Sequence, residues 1–164
     1  MDSMAYMEVR LERLETMRAL YAHALSETPE EDAASKVRGW AEPRGLLDEG
    51  SGARHFGRNT YPTNDPEPHG YESYITIGPD VEAEDSLEIR EIPGGLYAAL
   101  RFKGLENITE AWGRIHGWIE EGEYEKVDWR RGEHGWVNGY EEHLNPREES
   151  QSEWVFDLWI QLKE

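Results

Sequence analysis

The chain contains one structural unit twice, and that duplication constrains its fold more than any other feature. Residues 19–42 read ALYAHALSETPEEDAASKVRGWAE and residues 95–121 read GLYAALRFKGLENITEAWGRIHGWIEE. Each copy opens on Leu-Tyr-Ala, at Leu20-Tyr21-Ala22 and Leu96-Tyr97-Ala98, and each closes on Gly-Trp, at Gly39-Trp40 and Gly117-Trp118. The tyrosine-to-tryptophan spacings differ by two residues, which the turn between them is expected to absorb. Thr28 and Asn107 each precede a glutamate by three residues, as an N-cap does before a helix. Ile108, Ala111, Trp112, Ile115 and Ile119 make one apolar stripe, and Ala33, Val37, Trp40 and Ala41 make the other. Neither copy can bury its helix alone. The predicted fold is therefore α+β: two pseudo-symmetric repeats of this strand-helix unit, about 6–78 and 86–163, within one domain over 1–164. They pair into one sheet with two helices on one face.

Alternation predicts strands at 6–14, 16–25, near 54–59, and at 71–77, 86–92, 96–103, 135–144 and 154–162. Pro93-Gly94-Gly95 reads as the turn of a hairpin between two of them, and 78–85 as an acidic linker between the repeats. The stretch 46–69 is rich in Gly, Pro, Asn and Asp, and its length is that of a lid.

Charge narrows the function. With 35 acidic and 17 basic side chains the formal charge is −18, which repels nucleic-acid phosphate and anionic lipid. Direct nucleic-acid and membrane partners are therefore excluded, and cationic small molecules or basic protein surfaces are favoured. The absence of cysteine fits a reducing cytoplasm. No metal-binding histidine spacing and no phosphate-binding glycine pattern is present, so no metal or cofactor is expected.

Apolar alternation assigns Leu20, Ala22, Ala98, Leu100, Phe102, Leu158 and Ile160 to the helix-covered face. By parity the opposite face receives Tyr21, His23, Tyr74, Tyr97, Ala99, Arg101, Glu141, His143, Asp157 and Trp159. Aromatic rings with embedded carboxylates attract flat organic cations, at about 0.5–2 kcal/mol per cation–π contact. An oligomer interface would use the same residue types, and on the residues alone both readings stand.

GYEEHLNP, residues 139–146, resembles the Leu-Glu-Ile-Tyr-Leu-Asn-Asp-Pro signature of GyrI-like proteins. The blocks YESYITIGPDVE, LEIREIPGGLYAALRFKG and ITEAWGRIHGWIEE, with Phe56-Gly57 and FDLWIQL at 156–162, are similar to that family in order. The resemblance implies two pseudo-symmetric strand-helix-strand-strand repeats around a central groove: an antiparallel sheet with two helices on one face and a ligand groove on the other. It also implies one of several roles: effector domain of a multidrug-responsive activator, stand-alone binder of lipophilic cations, gyrase inhibitor, or hydrolase of cyclopropane-bearing alkylating toxins. The motif glutamate falls on Glu141, the motif tyrosine on His143, and a motif proline on Gln161.

The reading that follows is a binder of hydrophobic, cationic aromatic compounds. Glu141 supplies the counter-charge, Tyr21, Tyr97 and Trp159 the walls, and Asp157 a second acid, with His143, Tyr74 and Arg101 in the same groove. The alternatives are a hydrolase with Glu141 as general base, and a protein partner of gyrase or of a separate transcription regulator. No DNA-binding helix pair is visible ahead of the repeats. Whether the chain is an enzyme is left open.

Overall fold

The computed structural model describes residues 5–61, 69–82, 88–127 and 139–164. In chain order the elements are β1 (Val9–Leu14), β2 (Met17–Ser26), α1 (Pro29–Ala41), β3 (His55–Thr60), β4 (His69–Thr76), β5 (Ile89–Ile92), β6 (Gly95–Lys103), α2 (Ile108–Glu121), β7 (Tyr140–His143) and β8 (Val155–Gln161). They build one eight-stranded sheet in the order β1-β6-β8-β7-β3-β4-β2-β5, with every pairing antiparallel. The duplication is visible in that order, since β5-β2-β4-β3 repeats as β1-β6-β8-β7 and the halves meet at β3 and β7.

The predicted hairpin at Pro93-Gly94-Gly95 is a bend. β5 does not pair with β6; it pairs with β2, while β1 pairs with β6. Each half thus lends its first strand to the other, and the two bends cross. A Cβ on Gly94 would lie 2.6 Å from the Thr16 nitrogen and 2.9 Å from the Leu14 carbonyl oxygen. Only glycine lets the backbones approach so closely. The register at the bends pairs Met17 with Ile92 and Leu14 with Gly95, which makes Met17 the counterpart of Gly95. Gly39-Trp40 and Gly117-Trp118 then align with no gap, and Tyr21 corresponds to Ala99. The two-residue discrepancy therefore lies in the Leu-Tyr-Ala match and not in a longer turn.

Thr28 and Asn107 are the N-cap residues, but neither side chain caps its helix. The Asn107 amide donates to the Lys103 carbonyl at 2.8 Å instead. Helix α1 starts on Pro29, where a missing N–H costs nothing, and Glu30, Glu31 and Asp32 face its positive end.

Both helices lie on one face. Helix α1 covers β2 and β4, burying Val37 and Ala41 against Leu20, Ala22 and Ile75. Helix α2 covers β6 and touches β1, burying Ala111, Ile115 and Ile119 against Ala98, Leu100, Phe102, Leu158 and Ile160. Each large side chain so buried contributes about 1.5–3 kcal/mol. The sheet curls into a half-barrel, so its helix-free face also excludes water: Tyr21, Phe56, Tyr74, Tyr97, Tyr140 and Trp159 are all buried there.

Candidate functional site

The helix-free face holds Tyr21, Tyr74, Tyr97, Arg101, Asp157 and Trp159, as parity predicts, and it holds the chain's own cations among them. Arg101 donates to both Asp157 oxygens at 2.9 Å, and Arg10 Nη2 donates to Asp157 at 2.9 Å. Arg54 forks onto Glu142 at 2.7 and 2.8 Å, and Trp159 Nε1 donates to the same carboxylate at 3.0 Å. Glu72 accepts from the Tyr21 hydroxyl at 2.8 Å and from the Tyr74 hydroxyl at 2.7 Å. The rings are faced by guanidinium groups: Arg58 over Tyr140 at 3.8 Å, Arg90 over Tyr21 at 4.6 Å and Arg10 over Trp159 at 5.3 Å. Tyr97 donates to the Pro93 carbonyl, and His23 shares a hydrogen bond with Thr60. The aromatic-acidic chemistry read from the sequence is present, and arginines of β1, β3, β5 and β6 satisfy it.

Glu141 and His143 are not on this face. The register pairs Tyr140 with Trp159 and Glu142 with Asp157, so those two residues of β7 join the aromatic side. Glu141 lies beside Leu158 and His143 beside Phe156, on the helix side. Parity failed here because β7 is four residues long and both its faces are polar enough to read as the open one.

On the helix side the central strands β3 and β7 run between the two helices. One row across the sheet reads Ala22, Ser73, Gly57, Glu141 and Leu158; the next reads Leu20, Ile75, His55, His143 and Phe156. Small residues thus make the floor of a trough, and Glu141 rises from its middle. Its Oε1 accepts from the Tyr71 hydroxyl at 2.8 Å and its Oε2 from Trp112 Nε1 at 3.3 Å. Tyr71 comes from β4 under α1, and Trp112 comes from α2, so the carboxylate is held by both halves. Among the described residues no cation pairs with it. Burial drives its pKa up and Glu30 adds to that, while the Tyr71 and Trp112 hydrogen bonds oppose. Burial and Glu141 in turn hold the Tyr71 phenol well above its ordinary range. Tyr71 lies flat on the strand because Gly57 has no side chain: a Cβ there would sit 1.9 Å from the Tyr71 hydroxyl oxygen.

The two histidines flank this acid. His143 stacks on Phe156, with ring centroids 4.6 Å apart, and leans on Trp154 at 4.9 Å. Burial first, then His55 and Arg38, lower its pKa to about 4; burial and Arg38 do the same to His55. Both are neutral in the folded protein at neutral pH, whereas the unfolded chain protonates them below about pH 6.5. Their contribution to stability is complete above pH 6.5 and is lost as pH falls toward 4. Urea unfolding followed between those values is expected to show about 2 kcal/mol lost per histidine, with both partly exposed. The His143→Phe variant should lose correspondingly less.

The register gives one further relation. The pseudo-twofold axis passes between Gly57 and Glu141, which face each other across β3 and β7 and are each other's counterparts. Glu72 and Asp157 are likewise counterparts, as are Arg58 and Glu142. The centre therefore carries one carboxylate, and glycine at the facing position leaves the space that the Tyr71 ring fills.

Tyr71, Trp112, Gly57, Ser73 and His55 are absent from the sequence-derived site. Tyr71 shares the parity of Ser73 and Ile75, and a large phenol among covered positions was the available signal. Trp112 belongs to the apolar stripe of α2, packs against that core as expected, and in addition donates its indole N–H to Glu141. The hollow lined by Ile119 to Val127 contains none of these groups. Among the described residues no three metal-ligating side chains converge, and no helix is long and apolar enough to cross a membrane. The 46–69 stretch contains β3, and its lid reading lies partly outside the described residues, as does the start of the strand expected from 135.

Comparison with known proteins gives the following. The GyrI-like small molecule binding domain family matches the chain over residues 7–163. No curated protein matches it in sequence. Among solved structures, the EcmrR C-terminal domain superposes with a TM-score of 0.70 at 10% identity, covering 96% of this chain and 98% of that one. The chain spans 57% of the length of EcmrR in its DNA complex. A hydrolase from Listeria innocua superposes with a TM-score of 0.68 at 11% identity, covering 98% and 94%. SAV2435 bound to tetraphenylphosphonium superposes with a TM-score of 0.55 at 12% identity, covering 95% and 94%.

Proposed function

The chain belongs to the GyrI-like small molecule binding domain family, and from that premise we propose that it binds hydrophobic, cationic aromatic compounds in the trough between its two helices. One observation carries the reading. Asp157 and Glu142 are each matched by arginines, whereas Glu141 is buried and, among the described residues, has only neutral donors around it. A buried anion without a counter-ion is costly, and an incoming cation relieves that cost. Trp112 and Tyr71 offer aromatic surface beside the charge, and one protein of this fold holds tetraphenylphosphonium. A ligand reaching the carboxylate displaces or shares the Tyr71 or Trp112 donor, so binding should be seen in tryptophan fluorescence.

A titration with tetraphenylphosphonium beside Glu141→Gln tests this. The variant is expected to bind at least about tenfold more weakly, a lost charge contact of roughly 1.4 kcal/mol. Affinity of the parent should rise with pH through the elevated Glu141 pKa, because the cation prefers the ionised acid. Equal affinity of parent and variant overturns the role of Glu141.

The 2.8 Å contact between Glu141 and the Tyr71 hydroxyl also supports a hydrolase reading. A desolvated carboxylate can act as general base on water, and a phenol beside it can protonate a leaving group. Multiple turnovers of a cyclopropane-containing alkylator, followed by mass spectrometry, would establish it. An unchanged compound over many protein equivalents removes it.

A further inference from the structure

We propose that His143 selects, among the aromatic cations that Glu141 admits, those carrying a hydrogen-bond donor about 7 Å from the cationic centre. The inference rests on the binding role of Glu141 and adds a second polar anchor to it. Glu141 and His143 are two residues apart on β7 and share the helix face, so their side chains leave the strand about 7 Å apart. The His143 ring is fixed between Phe156 and Trp154. Its Nε2 is buried and has no hydrogen-bond partner among the described residues.

A buried polar nitrogen left unpaired costs about 1–3 kcal/mol, and a complementary ligand atom recovers much of that. The chemistry of the missing partner follows from the tautomer. A neutral imidazole has one N–H and one lone pair. The ring is neutral because burial, His55 and Arg38 disfavour its charge. A proton on the orphaned, buried Nε2 would be a buried donor with nothing to accept it, the rarer kind of unpaired group, which puts the proton on Nδ1 and leaves Nε2 as a bare acceptor. Its partner is then a hydroxyl or N–H, and a ligand ether or carbonyl oxygen would meet lone pair with lone pair. His55 faces His143 across β3, and Arg38 of α1 lies near both, so a second full positive charge at this end is disfavoured. The class selected is a monocation with a neutral donor: a hydroxyaryl or amino-aryl lipophilic cation.

Three probes of one shape test the donor requirement: tetraphenylphosphonium, (4-hydroxyphenyl)triphenylphosphonium and (4-methoxyphenyl)triphenylphosphonium, titrated into the full chain and into His143→Phe. Phenylalanine keeps the stack on Phe156 and removes the nitrogen. The hydroxyl probe is expected to bind the parent about tenfold more tightly than the other two, and the variant should bind all three alike. A preference for the methoxy probe, equal binding of all three by the parent, or a hydroxyl preference that persists in the variant each overturns the proposal. The probe series in the parent alone decides the matter if the variant does not fold. Failure of every probe to bind, or binding indifferent to Glu141→Gln, overturns the underlying binding role instead.

Discussion

Asp157→Ala is expected to cost about 3–5 kcal/mol of folding stability, the largest effect of any single substitution at an acid in this chain. The side chain is 2% exposed and receives three hydrogen bonds from two guanidinium groups, Arg101 and Arg10. Removing it leaves two positive charges facing one another in a half-buried site beside Trp159, which Arg10 also covers. The stability lost is mostly the cost of two guanidinium groups losing the carboxylate they share, not the intrinsic strength of the pair, and Arg10 keeps its contact with Glu12 at 3.1 Å. The double variant Asp157→Ala with Arg101→Met should therefore recover part of the loss. Urea midpoints with an unchanged slope report the effect directly. Glu49→Ala is the contrasting control: its side chain is 93% exposed, and removing one charge from a chain at −18 should leave stability unchanged or slightly raised. A midpoint for Asp157→Ala within error of the parent would refute the account of the helix-free face as a filled core.

Gly57→Ala is expected to lose about 3 kcal/mol of stability and the Tyr71–Glu141 hydrogen bond together. The added methyl would overlap the hydroxyl, Cζ and Cε2 of Tyr71, at 1.9, 2.4 and 2.6 Å, so the whole ring is in the way. Moving the backbone of β3 instead would disturb its pairing with both β4 and β7. The ring must swing off the strand, which strips Glu141 of one donor and adds a packing defect. Loss of that donor lets the pKa of Glu141 climb further, so cation binding should need a higher pH than in the parent. Tyr71→Phe separates the two consequences: it removes the donor and keeps the ring. A Gly57→Ala protein as stable as the parent, with unchanged pH dependence of binding, would show that Tyr71 is not held by the absence of that side chain.

Much of the fold could be read because β2, β6 and β8, at ten, nine and seven residues, are long enough for every second position to form an unbroken apolar row. A continuous apolar face under a helix leaves no choice of side. The site was harder for a physical reason. On β7 the sequence Tyr-Glu-Glu-His has a polar group on either parity, and only its register against β8 decides which glutamate joins Trp159. The helix-free face was correctly recognised as aromatic and acidic, but its cations come from strands distant in sequence. Arg10, Arg54, Arg58 and Arg90 reach it through tertiary pairing, which local pattern does not record. The bend at Pro93-Gly94 is equally opaque, because the residues that reverse a chain also let it kink and continue.

The exchanged first strands set an order on synthesis. Strand β1 leaves the ribosome before the other strands of its sheet, yet its hydrogen-bonding partner is β6, whose residues emerge only after the whole of the first repeat. Until then one edge of the nascent protein stays unpaired, and the first repeat lacks the strand that the second repeat's leader, β5, supplies to it. Neither half can finish before the other begins. The chain should therefore gain its structure late and in one step, and the interval before β5 and β6 appear is when a second nascent copy could donate the missing strand and entangle two molecules.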